Sequence, residues 1–263
     1  MKNLRNYSVL FLFSLFAVAC EMDNYDGPDA GINGVVYDVT TGIPLQIDHG
    51  AGILRMRELS WAKGDSLMHI GNRTLSVMQD GTYQHTKLFS GEYLMLPTNG
   101  AFYPWDDENR ELDAAGELVT IKGTLTKDFS VTPFLTLTWV QEPTVLPDNR
   151  IRCVVRFKRN QKMNSMTGQP YDMPNVKEAW LQVSRVAKAN ARDLELYPRQ
   201  LVLTNDMEGQ DIEFISEVPV KYTGRSYTIR VVMNCQSVSG NTNTNYPGVD
   251  AWIGTTIKTV AVP

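Results

Sequence analysis

Short runs in which apolar and polar residues alternate make up most of the chain, and a period of two is typical of β-strands with one buried face. In the first half these runs are Ile32–Asp38, Gly52–Leu59, Glu92–Leu96, Leu118–Ile121 and Thr126–Val131. In the second half, Ile151–Phe157 and Tyr227–Cys235 place apolar residues at every second position, and the residues between them in the first run are largely charged. Residues 185–196 have a faint helical pattern. We therefore predict an all-β protein.

A turn signal separates two of the predicted strands. Asp80-Gly81 lies between the run Leu75–Met78 and Thr82-Tyr83. Asp-Gly is favoured in type I′ turns, in which both central residues take positive φ, and such turns join neighbouring antiparallel strands. The dipeptide therefore predicts a β-hairpin at this point.

The N-terminus has the pattern of a secretory signal peptide over residues 1–19. Lys2 and Arg5 precede an apolar run that ends in the small residues Ala17-Val18-Ala19. The run is too short to span a bilayer, which needs about 20 helical residues, and no later segment is long or apolar enough. Its end resembles a lipobox, which implies cleavage before Cys20 and lipid on that cysteine. Ordinary cleavage after Ala19 is the alternative.

Residues 20–30 are predicted to form an acidic tether. From Glu21 to Asp29 the sequence has four acidic residues, no basic residue and too few apolar residues to fold. The segment resembles the export signal that sends Bacteroidota lipoproteins across the outer membrane, which implies a position on the cell surface. A solvated linker that faces the periplasm is the alternative.

Composition limits the partners and the number of domains. The sequence has 25 basic and 29 acidic residues, and loss of Lys2 and Arg5 with the signal peptide leaves 23 against 29, a net charge near −6. We expect no nucleic-acid partner, because phosphate backbones are bound by basic surfaces. With 43% hydrophobic and 21% charged residues, the body is an ordinary globular protein, long enough for one large or two smaller domains.

Four motifs of the first half follow one another as in prealbumin-like, carboxypeptidase-regulatory-like sandwiches. They are Gly34–Asp38, Thr41–Leu45, Asp80–Tyr83 and Leu88–Tyr93. Gly42 and Pro44 suit the turn after the first strand. Leu88 and Tyr93 are expected to point inward, with Gly91 turning the chain between them. The resemblance implies a prealbumin-like β-sandwich over residues 31–132.

A wider resemblance covers most of the chain and is densest in the first half. The residues that carry it include Asp23–Asp29, Arg57–Trp61, Asp80–Tyr83, Thr86–Phe89 and Asn99–Pro104. On these residues the chain resembles a Bacteroidota family of two-domain surface lipoproteins of unassigned function, typically encoded beside SusC-like transporters and SusD-like glycan-binding proteins. The resemblance implies glycan uptake at the surface and no established activity.

The second half is predicted to form another antiparallel sandwich, immunoglobulin-like or fibronectin-like, over residues 133–263. Its alternating strands fit such a domain best, and the join is placed near Pro133, in a segment bracketed by Val131–Phe134 and Gln141–Pro143.

Cys153 and Cys235 leave two alternatives open. Both fall on inward faces of predicted strands, where the cross-sheet disulfide of an immunoglobulin domain lies, and the cell envelope permits disulfides. Their spacing is long, however, and Met233 occupies the position of the usual corner tyrosine. A disulfide and a pair of buried free thiols are both compatible with the sequence.

Enzyme chemistry finds little support in the sequence. Gly64–Leu67 spells the Gly-Asp-Ser-Leu of a hydrolase family, but such a serine needs a histidine from the far end of its domain, and none follows His85. The three histidines, His49, His69 and His85, lack ligand-like spacing. Carboxylate pairs such as Glu111 and Asp113 are typical of any acidic surface. We expect a non-catalytic protein without a cofactor or metal.

An aromatic and acidic segment, Phe102–Arg110, is the best candidate for ligand binding. Sugar rings stack their apolar faces on aromatic rings and hydrogen-bond through their hydroxyls, so this composition favours a glycan site. The candidate residues are Trp105, Tyr103, Asp106, Asp107 and Asn109, with Trp61 as a second platform. Core packing is the alternative for the aromatic residues. A calcium site is the alternative for the polar ones, although they lack EF-hand spacing.

The other tryptophans are less informative. Trp180 lies opposite in parity to Ala179, Leu181 and Val183, which favours an exposed side chain. Trp139 and Trp252 have no diagnostic setting.

Two functions of different classes follow. The leading hypothesis is a non-catalytic lipoprotein, anchored by lipid in the outer membrane and facing the cell exterior, that assists polysaccharide capture or import beside a SusC/SusD-like complex. The alternative is a structural or adhesive spacer that holds another surface protein, because prealbumin-like domains often serve as spacers.

Overall fold

The computed structural model describes residues 26–48, 52–60, 71–105, 115–186, 199–236 and 251–263. Within these ranges the chain forms sixteen β-strands and, apart from one 3-10 turn at Asn205–Met207, no helix. The first-half strands are β1 (Ala30–Asp38), β2 (Gly52–Glu58), β3 (Arg73–Ser76), β4 (Thr82–Leu88), β5 (Gly91–Pro97), β6 (Glu117–Ile121), β7 (Thr124–Thr126) and β8 (Phe129–Val131). The second-half strands are β9 (Leu135–Val145), β10 (Ile151–Arg159), β11 (Asn175–Ser184), β12 (Arg199–Val202), β13 (Ile212–Ile215), β14 (Arg225–Gln236), β15 (Ile253–Gly254) and β16 (Lys258–Val262). The predicted all-β class is confirmed.

Two four-stranded sheets are formed by the first eight strands. In one sheet β4 and β7 flank β1, and β8 pairs with the end of β1; in the other the order is β3, β2, β5, β6. The sequence predicted antiparallel sheets, whereas β7 and β8 run parallel to β1. This happens because the chain passes through the second sheet before it returns to β1.

A turn forms at Asp80-Gly81, but Asp80 does not share the positive φ of Gly81, so it is not the predicted type I′ turn, and it does not make a hairpin within one sheet. Gly81 has a φ of +79°, and the Met78 backbone N–H donates to the Thr82 carbonyl at 2.7 Å. β3 pairs with β2 and β4 pairs with β1, so the turn carries the chain from one sheet to the other. The predicted hairpin is wrong because a turn fixes only local geometry, whereas the pairing partner depends on distant strands.

The next connection also changes sheets, from β4 to β5. Leu88 before it and Tyr93 after it are both buried, as predicted. The Tyr93 hydroxyl donates to the Phe89 carbonyl at 2.7 Å. This bond holds the connection against β5.

The predicted strand Thr126–Val131 is divided into β7 and β8 at Lys127-Asp128. The Lys127 backbone N–H donates to the Asn33 carbonyl at 2.8 Å, and Asp128 Oδ1 accepts from the Val35 backbone N–H at 2.8 Å. Here the backbone of β1 and the backbone at Lys127 approach so closely that a Cβ on Gly34 would lie 1.8 Å from the Lys127 carbonyl oxygen. The side-chain bond from Asp128 interrupts the regular ladder, and one predicted strand becomes two.

Two further sheets are formed by the last eight strands. One has the order β13, β10, β9; the other has the order β12, β11, β14, β15, with β16 also paired to β14. β10 alternates as predicted, with its four apolar residues Ile151, Cys153, Val155 and Phe157 buried. β14 departs from a one-sided pattern, because the residues of its second face are buried too: Thr228, Arg230, Val232 and Asn234.

Segments from elsewhere in the chain cover this second face of β14. Arg230 Nη1 donates to the Ile47 carbonyl at 2.7 Å, and a Cβ on Gly254 would lie 1.8 Å from Arg230 Nη2. Ile47 and Ile253 also pair in an isolated β-bridge. The alternation of residues within β14 therefore could not predict that its second face is buried, because the residues that cover it lie far away in sequence.

The strands of the first two sheets all precede Pro133, and those of the other two follow it. Beside this residue the Phe134 backbone N–H donates to the Ala101 carbonyl, and the Tyr103 N–H donates to the Thr132 carbonyl, both at 2.9 Å. Buried residues of both halves belong to one continuous hydrophobic core. The division into domains near residue 133 stays a prediction.

The signal peptide, Cys20 and most of the tether lie outside the described residues, as does most of the faintly helical segment at 185–196. Asp29, near the end of the tether, accepts hydrogen bonds from the Ser90 backbone N–H at 2.7 Å and the Ser90 hydroxyl at 2.8 Å. These bonds lower the pKa of Asp29. In the part of the chain that is described, no helix is long and apolar enough to cross a membrane.

Candidate functional site

Tyr103 belongs to the core and not to an exposed platform. Its side chain is 1% exposed and packs edge-on against Phe134, with ring centroids 5.0 Å apart. Its hydroxyl donates to the Asn160 carbonyl at 2.7 Å. The prediction that Tyr103 binds a ligand is therefore wrong, because an enclosed ring offers no face to a sugar. Phe102 is buried as well.

Trp105 is half-buried and packs edge-on against Phe129, with ring centroids 6.1 Å apart and planes at 75°. The other predicted ligand-binding residues lie outside the described ranges: Asp106, Asp107, Asn109 and Trp61. Also outside are Gly64–Leu67, His49, His69, Glu111 and Asp113. Trp105 stays a candidate, and the loop expected to complete its site is not described.

Cys153 and Cys235 are free thiols in the structure, so the disulfide alternative is not the one adopted. They lie on β10 and β14, which belong to different sheets, and are 0% and 1% exposed. Burial raises the pKa of each thiol to about 12. Both therefore pack as small protonated apolar groups.

A more complete cluster lies on the outer face of the five-stranded sheet. β11 and β14 pair so that Glu178 is opposite Asn234, Trp180 opposite Val232 and Gln182 opposite Arg230. Because successive residues of a strand point to opposite faces, these side chains point away from the core-facing residues such as Leu181. We call the following residues the sheet-face cluster: Glu178, Trp180, Gln182, Asn234 and Trp252.

Two tryptophans form the aromatic part of the sheet-face cluster. Trp180 and Trp252 are half-buried and meet edge to face, with centroids 6.0 Å apart and planes at 77°. Glu178 Oε2 accepts hydrogen bonds from Trp180 Nε1 at 3.1 Å and from Gln200 Nε2 at 2.5 Å. Asn234 Nδ2 lies 3.5 Å from Glu178 Oε1. The carboxylate therefore fixes the orientation of the Trp180 ring.

Buried amides of the sheet-face cluster have unused hydrogen-bonding capacity. Within the described part of the chain, neither amide atom of Gln182 has a hydrogen-bond partner, and neither does Asn234 Oδ1. These side chains belong to residues only 5% and 3% exposed. A buried polar atom without a partner costs about 1–3 kcal/mol. Because these amide atoms are enclosed by the protein, an ordered water would supply the partner that each of them lacks.

Arg230 lies beside Gln182 at the base of the sheet-face cluster. Its side chain is wholly buried, and of its nitrogens Nε and Nη2 have no hydrogen-bond partner among the described residues. Burial lowers the pKa of Arg230 to about 10, and the carboxylate of Asp48 opposes this shift. Since this pKa lies well above neutral pH, a positive charge is held at the junction of the two halves.

The chemistry of the sheet-face cluster suits noncovalent binding of a hydroxyl-rich ring. The half-buried indoles offer apolar faces, and the half-buried Glu178 carboxylate offers acceptors to hydroxyl groups. The cluster has a single carboxylate, whereas glycoside hydrolysis uses two. Among the described residues, no group of three histidine, cysteine, aspartate or glutamate side chains is placed to hold a metal ion.

The alternation of residues along β11 indicates part of the sheet-face cluster from the sequence alone. Trp180, with Glu178 and Gln182 on the same face, is opposite in parity to the apolar residues of its strand. Trp252 carried no signal, because it reaches Trp180 through the pairing of β15 with β14. Nothing in the sequence indicated that Gln182 and Asn234 would be buried without partners.

Part of the chain matches a known family model. Residues 30–132 match the model of the N-terminal domain of DUF3823, a protein of unknown function. The structure is similar to that of a DUF3823 family protein from Bacteroides uniformis, with 25% sequence identity and a TM-score of 0.71 over 90% of this chain and 100% of that one. The sequence resemblance to Bacteroidota proteins of unassigned function is confirmed to this extent.

Two other solved structures show the same fold. One, from Bacteroides uniformis, is described as a "putative carbohydrate binding protein"; it has 19% identity and a TM-score of 0.65 over 90% of this chain and 100% of that one. The other is a DUF3823 family protein from Parabacteroides merdae, with 18% identity and a TM-score of 0.60 over 89% of this chain and 100% of that one. No curated protein matches the sequence.

Proposed function

We propose that this chain, whose residues 30–132 match a domain of unknown function, is a non-catalytic polysaccharide-binding lipoprotein. The observation that carries the proposal is the sheet-face cluster, where two half-buried tryptophans lie beside a carboxylate and two buried amides. An indole takes the apolar face of a sugar, and a carboxylate accepts hydrogen bonds from its hydroxyls. The description of the second Bacteroides uniformis structure as a carbohydrate binding protein, there qualified as putative, points the same way.

Anchoring and partner are parts of the same proposal. Cys20 carries the lipid, the acidic tether places the body outside the outer membrane, and a SusC/SusD-like complex receives the captured polysaccharide. The lipobox-like end of the signal peptide and the family resemblance support this arrangement. We also propose that the first two sheets form a prealbumin-like sandwich and the other two an immunoglobulin-like or fibronectin-like sandwich.

Affinity electrophoresis of the unlipidated chain beginning at Glu21, through gels that contain a panel of polysaccharides, tests the proposal. We expect at least one polysaccharide to retard the protein. Trp180→Ala should weaken binding about 10-fold or more, or about 1.4 kcal/mol, because a buried aromatic anchor carries a large share of binding energy. Calorimetry on the retarding polysaccharide gives the affinity.

Trp105→Ala is the matched comparison, since it truncates a half-buried tryptophan at the other candidate site. Loss of binding on Trp105→Ala, with Trp180→Ala unaffected, would move the site to the first half. A wild-type protein that neither migrates more slowly nor releases heat with any polysaccharide would contradict the proposal and favour the spacer alternative.

A further inference from the structure

Three cations surround one exposed tyrosine at an end of the five-stranded sheet. The Tyr222 ring centroid lies 5.3 Å from Arg185 Cζ, 5.4 Å from Lys221 Nζ and 5.6 Å from Arg225 Cζ. All four side chains are exposed, Tyr222 by 37%. We call Arg185, Lys221, Tyr222 and Arg225 the basic cluster.

The backbone of the basic cluster is held in place by the rest of the fold. The buried Tyr227 hydroxyl donates to the Tyr222 carbonyl at 2.9 Å and accepts from the Tyr222 N–H at 3.2 Å. Two residues further on, Gly224 has a φ of +67° and its N–H donates to the Val262 carbonyl at 2.9 Å. The Val220 N–H donates to the Asn149 carbonyl at 2.9 Å. This loop is therefore an ordered platform.

The two guanidinium charges of the basic cluster are not balanced by a carboxylate among the described residues. Neither Arg185 nor Arg225 forms an ion pair within the described part of the chain, whereas Arg150, Arg152, Arg156 and Arg159 each pair with a carboxylate. Like charges gathered around one ring repel one another. The cluster is also unusual in a chain with more acidic than basic residues. A bound anion would relieve the repulsion.

The Tyr222 ring prepares the two guanidinium groups for an anion. A guanidinium near the face of a tyrosine is attracted to the ring, which limits the orientations it samples. Its planar edge keeps several N–H donors in a fork that fits a carboxylate or sulfate with two hydrogen bonds. Two such groups and a lysine around one tyrosine ring, from the end of β11, the loop before β14 and the start of β14, suit an anionic group of a larger ligand.

The basic cluster lies away from the junction between the two halves. β9 begins beside that junction, next to Phe134, whose carbonyl accepts from the Asn160 N–H. Its eleven residues end at the hairpin that contains Asn149, which bonds to Val220 beside the basic cluster. Along β14 the distance is shorter, because Arg225 lies five residues, roughly 17 Å, from Arg230, which bonds to the Ile47 carbonyl of the first half. Since the tether enters at the first strand of the other half, this position favours a soluble polyanion over the surface of the anchoring membrane.

We propose that the basic cluster binds the carboxylate or sulfate groups of an acidic polysaccharide. The inference rests on the proposed function and deepens it by naming the substrate class. Arg185 and Arg225 make the bidentate contacts, Lys221 adds charge, and Tyr222 orients the arginines. The sheet-face cluster binds sugar rings of the same polysaccharide, since β11 carries Glu178, Trp180 and Gln182 and ends directly before Arg185.

Calorimetry with the unlipidated chain tests this inference, using polygalacturonate and chondroitin sulfate as acidic ligands and dextran and xyloglucan as neutral ones. We expect wild-type protein to prefer the acidic ligands and to lose affinity as salt is added, because counterions screen exposed charges. Arg185→Gln together with Arg225→Gln should lower affinity for acidic ligands at least 10-fold and flatten the salt dependence. Tyr222→Ala should have a smaller effect in the same direction.

Lys87→Gln together with Lys158→Gln is the matched control, because it removes the same net charge from exposed positions on other strands. Unchanged acidic-ligand affinity in the double arginine variant, or an equal loss in the control, overturns the inference. Binding to phosphatidylglycerol vesicles without binding to acidic polysaccharides also overturns it, in favour of a membrane contact. Binding confined to neutral polysaccharides overturns it while the proposed function stands. Binding to no polysaccharide overturns both.

Discussion

At the scale of single residues, burial decides the chemistry of the two cysteines. Cys153 and Cys235 both have the inward parity that the sequence predicts, and both are almost completely enclosed. Removing a thiolate from water is costly, so burial raises the pKa of both thiols to about 12. Thiols with this pKa remain protonated at neutral pH and react slowly.

Thiol titration of the chain beginning at Glu21 measures this directly. We expect no reaction with a thiol reagent at pH 8 in the native protein and two thiols per chain after denaturation without reductant, because both cysteines are free and buried. The same titration after reduction is the control. A denatured, unreduced protein with no reactive thiol would establish a disulfide instead.

At the scale of elements, the turn at Gly81 connects the two sheets of the first half. A Cβ on Gly81 would lie 2.8 Å from the Leu45 backbone nitrogen and 2.9 Å from the Val36 carbonyl oxygen. The Gly81 carbonyl also accepts from the Val36 N–H at 2.9 Å. Glycine is needed here both for its positive φ and for the close approach of the neighbouring backbone.

Gly81→Ala should therefore cost more than backbone strain alone. We expect Gly42→Ala to lower the free energy of unfolding by about 1–2 kcal/mol, the usual cost of a left-handed residue with a Cβ. Gly42 has a φ of +73° with open space around it, and so it controls for the strain. Gly81→Ala should cost about 3 kcal/mol or more, since a clash adds to the strain. Urea unfolding of both variants measures the difference, and equal losses would contradict the role of the close approach.

At the scale of the whole molecule, buried hydrogen bonds join the half of the chain before residue 133 to the half after it. Tyr103 bonds to the carbonyl of Asn160 in the second half, and Arg230 bonds to the carbonyl of Ile47 in the first. Because these contacts lie within one continuous core, neither half can unfold without exposing surface of the other. We expect the two halves to unfold together.

Scanning calorimetry of the chain beginning at Glu21 should accordingly show one transition. Tyr103→Phe should lower the stability of the whole protein by about 1–3 kcal/mol, because it leaves the buried Asn160 carbonyl without its donor. Tyr37→Phe, at a half-buried tyrosine within the first half, is the control and should have little effect. Two separate transitions in the wild type, with only one of them moved by Tyr103→Phe, would show that the halves are independent.

The sequence by itself determined that β1, β2, β5, β6, β10 and β14 are strands and which residues of β10 face inward, because alternation is a property of the local chain. It missed β9, which runs through the segment predicted as the join near Pro133. The same parity placed Trp180 outside the core, but it gave no sign of the Tyr103 contact with Asn160. That contact, and the cover over Arg230, arise between residues far apart along the chain.

Only the tertiary structure decided which strands pair and which outward side chains come together. Gly81 has the expected positive φ, yet β3 and β4 belong to different sheets. β3 pairs with β2 and β4 pairs with β1, and the turn sequence does not encode these partners. Likewise, Trp252 meets Trp180, and Arg185 meets Tyr222, only after β14 has paired with its neighbours. A local pattern fixes the direction of a side chain, whereas a binding surface is made by residues that only folding brings together.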